Sequence, residues 1–131
     1  MNYELTEQLL DTAVEYSKQH GHKMAIAVTD EGGILMGFRR MDGCFKGSVE
    51  IAIKKAKTCA LFPLPSGAFG QLIQDQHLIG MEQTNGGLCV FHGGLPIFRD
   101  GILIGAIGVS GGSAEEDLAV AEFAATFSEC T

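Results

Sequence analysis

The chain has 131 residues, of which 46% are hydrophobic and 19% charged, with a formal net charge of −7 and a pI near 4.9. That length suits one hydrophobic core, so residues 1–131 are expected to form a single domain. An acidic chain without a basic stripe excludes the usual nucleic-acid binder, and Lys54, Lys55 and Lys57 read as the solvated face of a helix.

No apolar run approaches the ~20 residues that span a bilayer, so no membrane partner is expected. The first residues carry acids instead of a basic segment, so they read as a helix and not a signal peptide, and a cytoplasmic location is expected. Cys44, Cys59, Cys89 and Cys130 include no C-x-x-C pair and are expected to be free thiols.

Leu5, Leu9, Ala13 and Tyr16 recur at helical spacing, and Lys18, His20 and Gly21 give the cation-then-glycine signature of a helix end. Residues 24–28 form an apolar run of strand length. Asp30-Glu31-Gly32-Gly33 is a hairpin turn, and residues 34–40 return as its second strand. Ser48 is placed as the cap of a helix with Val49, Ala52, Ile53, Ala56 and Ala60 on one face, stopped by Pro63.

Residues 65–86 are the least regular part: a short helix from Ser66 to about Ile73, then a loop or second turn through His77 and Gly80. Residues 88–91, 95–98 and 102–109 read as three strands, joined by His92-Gly93-Gly94 and Arg99-Asp100-Gly101. Ser113-Ala114-Glu115-Glu116 matches a capping box and opens a helix to about Phe127. Strand clusters joined by hairpins imply an α+β fold in which helices cover an antiparallel sheet.

Several strings carry a resemblance. RMDG at 40–43, Lys55-Ala56, GGLPIF at 93–98 and IGAIGVSGGSAEED at 104–117 resemble the GlcG/HbpS family. They look most like the branch that includes the C-terminal domain of the PduO corrinoid adenosyltransferases and small stand-alone relatives from diol and glycerol fermentation. The resemblance implies a five-stranded antiparallel sheet of profilin-like topology, assembly into dimers or larger homo-oligomers, and binding of haem or a corrinoid. For some members it implies haem degradation. The chain departs from the PduO-like pattern at residues 74–80, which lack its proline and tyrosine, and at His92, where those relatives have a glycine.

Haem iron takes an axial His, Cys, Met or Tyr. The chain offers His20, His22, His77 and His92. His20 also reads as a cap that satisfies helix C-terminal carbonyls. The family resemblance makes it the tentative axial ligand. His20 and His22 can share a metal only if the Gly21 turn brings their rings together. His77 in the long loop and His92 in the glycine turn are candidates by position, whereas Cys89 and His92 fall on opposite sides of a strand.

Gly105, Gly108, Gly111 and Gly112 lack nucleotide-loop spacing and read as a structural turn and cap, with Ser110 able to hydrogen-bond a ligand. Arg40 is either an anion partner or half of an ion pair with Asp42, and Lys55 reads the same way. No nucleophile–base arrangement is legible.

The expected function is a tetrapyrrole-binding protein associated with diol, glycerol or glycolate metabolism. The alternatives are an oligomeric accessory protein of a B12-dependent dehydratase system and an enzyme of haem breakdown.

Overall fold

The structure, a computed structural model, describes residues 1–129. Cys130 lies outside the described residues. The first helix, α1 (Tyr3–Gln19), begins where the Asn2 side chain accepts the Leu5 amide at 2.8 Å. Its buried stripe is Leu5, Leu9, Leu10 and Ala13. It ends in a left-handed turn at Gly21, φ 72°. There the Gly21 amide donates to Lys18 O at 3.2 Å and the His22 amide to Ser17 O at 2.8 Å. This pair of bonds is the Schellman motif, and glycine takes its left-handed position without a Cβ penalty.

Strands β1 (Ala25–Asp30) and β2 (Leu35–Arg40) form the first hairpin. Asp30 Oδ1 accepts the Gly32 and Ile34 amides, both at 2.9 Å, and so closes the turn. Two helices follow, α2 (Ser48–Leu61) and α3 (Ser66–Asp75), and then a single 3-10 turn at Met81–Gln83. The chain finishes with β3 (Gly94–Arg99), β4 (Ile102–Ser110) and α4 (Ala114–Glu129).

The sheet order is β2-β1-β4-β3, with every neighbouring pair antiparallel. Alternate side chains of β1 leave on opposite faces. Ala25 and Ala27 join Ala106 against Ala52, Ala56, Cys59 and Ala60 of α2. Met24, Ile26, Val28, Ile107 and Val109 meet Leu5 and Leu9 of α1 and Val120 and Ala124 of α4. The α2 face can be built from alanines because the helix lies very close: a Cβ on Gly108 would stand 2.1 Å from the Ala52 carbonyl oxygen.

Three expectations are corrected here. The α+β class holds, but among the described residues the sheet has four strands, not five, and nothing in its order supports a profilin-like topology. The missing strand is residues 88–91. Its backbone bonds go to helices and the loop instead of a ladder: the Cys89 amide donates to Thr58 Oγ1 at 3.0 Å, the Leu88 amide to Glu82 O at 2.8 Å, and the Phe91 carbonyl accepts Ser66 Oγ at 2.6 Å.

Ser48 does not cap α2 with its side chain. It is the first helical residue, with Gly47 at the cap position and no side-chain cap bond. Lys55 is not part of a solvated face either. It has no exposed surface, while Lys54 and Lys57 are half-buried.

Candidate functional site

The Schellman turn fixes the first candidate. At the C-cap of α1, the His20 Nδ1 lies 2.9 Å from the Tyr16 carbonyl oxygen. The ring also stacks on Tyr16, centroid to centroid 4.0 Å, and Tyr16 in turn meets Phe123 of α4 at 4.7 Å. The cap role read from the sequence is therefore present. It carries a chemical consequence: Nδ1 facing a carbonyl must bear the proton, which leaves Nε2 as the nitrogen with a free lone pair. His20 is exposed, so that lone pair is open to a ligand.

Beside it runs a groove of about 350 Å³ between α1 and α4, walled by Tyr16, Phe123 and Phe127 and rimmed by Asp11 and Glu15. Both phenylalanines are partly solvent-exposed, at 47% and 43%. A histidine with a free Nε2 beside an apolar, aromatic groove fits the axial ligation that a metallated tetrapyrrole requires; Tyr16, at 23° to the His20 ring plane, would meet an axially held macrocycle edge-on. The two acidic side chains on the rim do not fit its propionates, which would have to point away from them.

The other candidates are distributed differently. Arg40 and Ser110 both stand opposite Ala25 in the sheet register, in one row across three strands. Ala25 packs on the α2 face, so Arg40 and Ser110 belong to that face and not to the α1–α4 groove. Arg40 is exposed, and its guanidinium has no partner among the described residues; the pairing with Asp42 is absent there. The arginine that pairs is Arg39, with Glu7 at 2.8 Å and Asp11 at 3.5 Å. Ser110 is buried.

His77 stands in an exposed turn after α3, with a left-handed backbone at φ 56°. His92 lies over Gly67 at the start of α3 and lines a separate cleft of about 330 Å³ with Gly70, Gln74, Glu82 and Phe91. His20, His77 and His92 are thus not gathered around one ligand.

The glycine turn before α4 is structural, as read. The Gly112 amide donates to Asp117 Oδ1 at 2.8 Å, the Ser113 amide to Glu116 Oε1 at 2.9 Å, and the Glu116 amide to Ser113 Oγ at 3.2 Å. The amide of Ser113 holds the Glu116 carboxyl below its ordinary range.

Asp117 leads to the group that the sequence reading misplaced. The Lys55 Nζ donates to Asp117 Oδ2 at 3.0 Å and to the Val109 carbonyl at 2.7 Å, with the Phe91 ring centroid 5.0 Å away. Burial pushes the Asp117 carboxyl up, against the opposing pull of the Gly112 amide and the Lys55 ammonium. The signal was present in the spacing: Ala52, Lys55, Ala56 and Cys59 follow the i, i+3, i+4, i+7 rule of a buried stripe. His22 also went under-read. Its Nδ1 lies 3.7 Å from Glu116 Oε2, and its ring is 6.0 Å from that of His20.

No helix among the described residues is long and apolar enough to cross a membrane.

Comparison with known proteins gives the ancestry. Residues 1–126 match the family model described as haem degrading protein HbpS-like. The chain is 37% identical over 103 residues, covering 77% of it and 72% of the relative, to an uncharacterized 15.0 kDa protein in the dhaT-dhaS intergenic region of Citrobacter freundii. It is 32% identical over 119 residues to the corrinoid adenosyltransferase PduO of Salmonella typhimurium, covering 89% of this chain but 35% of that protein.

Among solved structures, the Klebsiella pneumoniae protein ORFY superposes with a TM-score of 0.95 at 27% identity, covering 100% of this chain and 92% of that one. A PduOC:heme complex superposes with a TM-score of 0.90 at 32% identity, covering 96% and 93%. The chain belongs to the family that joins HbpS to the PduO C-terminal domain, and is homologous to both.

Proposed function

We propose that the chain binds a tetrapyrrole, haem or a corrinoid, with His20 as the axial ligand. One observation carries the choice of residue: the bond from His20 Nδ1 to the Tyr16 carbonyl, which sets the tautomer and leaves Nε2 to a metal beside the partly exposed Tyr16–Phe123 wall. A relative whose structure is that of a heme complex, and others named corrinoid adenosyltransferases, support the ligand class. The groove lies at the small end of the range for small-molecule sites, ~300–1,000 Å³, so one chain covers part of a macrocycle and leaves its rim in solvent. Arg40 lies on the other face, so the reading does not use it as a propionate partner. A cytoplasmic homo-oligomer acting in diol, glycerol or glycolate metabolism is the wider setting we propose, on the family resemblance alone.

The test is a titration with hemin, and separately with cobalamin, followed by visible spectroscopy in the wild type and in His20→Ala, His77→Ala and His92→Ala. Saturable binding of at least one of the two, at one ligand per chain or per dimer, abolished by His20→Ala alone, is the expected result. A flat titration with both compounds, or a loss confined to the His77 or His92 variant, would overturn the assignment.

A further inference from the structure

Of the three histidine neighbourhoods two hold a single imidazole, but the end of α1 holds two. The Schellman turn at Gly21 places His20 and His22 with ring centroids 6.0 Å apart and ring planes 23° apart. The His20 ring is hydrogen-bonded through Nδ1, and the His22 Nδ1 has a carboxylate within ion-pair distance. His20 faces the Tyr16 carbonyl at 2.9 Å and His22 faces the Glu116 carboxylate at 3.7 Å. Glu116 is itself held by the Ser113 amide at 2.9 Å.

The carbonyl behind His20 is the outer-sphere arrangement of a metal-bound histidine, in which Nδ1 is anchored and Nε2 is presented, and the Glu116 carboxylate on the Nδ1 side of His22 favours the same orientation there. Imidazole nitrogens bind zinc at ~2.0–2.1 Å, which puts two ring centroids on one ion roughly 5 to 6 Å apart. The observed spacing is at the upper end of that range. Both rings reach solvent: His20 is exposed and the His22 side chain is 17% exposed.

We propose that His20 and His22 form a two-imidazole site for a divalent first-row transition ion of the zinc, nickel or copper class, the ions that imidazole suits best. Among the described residues no group of three or more His, Cys, Asp or Glu side chains is arranged to hold a metal. Water therefore completes the coordination sphere, and the ion exchanges. The site shares His20 with the tetrapyrrole reading but does not rest on it, because His22 belongs to the divalent site alone. A bound ion on the pair competes with a tetrapyrrole for His20, so the two ligands are mutually exclusive.

The experiment is a Zn²⁺ titration of the full chain in a Cys130→Ser background, read by calorimetry and by the imidazole ¹⁵N signals. One ion per chain is expected, moving the Nε2 signals of His20 and His22 together. His20→Ala and His22→Ala should each weaken binding at least ~10-fold, and Glu116→Gln, which removes the carboxylate beside His22, by a smaller factor. His77→Ala and His92→Ala should bind as the parent does. The absence of saturable heat in the parent, or unchanged binding in His22→Ala, would overturn the proposal. Hemin titration of the same His22→Ala protein separates the two readings: tetrapyrrole binding should persist there and vanish in His20→Ala.

Discussion

Lys55 shows how a single residue is made tolerable where its type does not belong. An ammonium without solvent contact needs its protons occupied, and the Val109 carbonyl and Asp117 supply two of the partners, with the Phe91 ring beyond. The pair is not a large source of stability by itself, since each charge gives up its hydration. Breaking it is a different matter, because one partner is left buried and unmatched. Lys55→Met and Asp117→Ala are each expected to destabilise the fold by about 3–5 kcal/mol in urea denaturation, and the double variant by less than the sum. A cost under ~1 kcal/mol for either single change would show that solvent reaches the pair after all.

Among the elements, α4 depends most visibly on a local signal. The reciprocal Ser113–Glu116 bonds satisfy orphan amides at its start, and Ser113→Ala is expected to cost about 1 kcal/mol in the same denaturation experiment. A stability equal to the parent's would mean that packing of Val120, Ala121 and Ala124 alone sets the helix start.

This box was legible because a capping box is a local pattern, and so were the α1 stripe, its glycine stop and the Asp30 turn. Residues 88–91 were not. An apolar run of strand length does not reveal whether its amides meet a neighbouring strand or, as here, Thr58 and the loop before it. The site was half legible for the same reason. His20 could be placed as a cap from its neighbours. That Tyr16 and Phe123 would meet beside it depends on α1 and α4 packing on one face of the sheet, a long-range fact. Lys55 was misread because its charge was weighed ahead of its place in the Ala52–Cys59 stripe.

At the scale of the molecule, the seam between α1 and α4 on one face is open to solvent, while the α2 side is closed over small residues. Cys59 and Cys89 are two of the thiols buried in that region. Burial pushes Cys59 up to about 12, and burial likewise raises Cys89. Both are therefore expected to resist a disulfide reagent at pH 8 in the native state and to react on denaturation; prompt native reaction of either would contradict the packing.

The sign for stability follows from the same shift. The native state holds these thiol protons more tightly than the unfolded chain, so their contribution is full below about pH 8.5. It is lost as pH rises from there, for Cys59 toward about 12.

The open seam is where the proposed ligand site lies. The most direct test replaces the proposed ligand and returns it: hemin titration of His20→Gly, without and with free imidazole. Loss of the ligated Soret spectrum in the variant and its recovery with imidazole is the expected outcome. An unchanged spectrum in His20→Gly would show that the iron is held elsewhere.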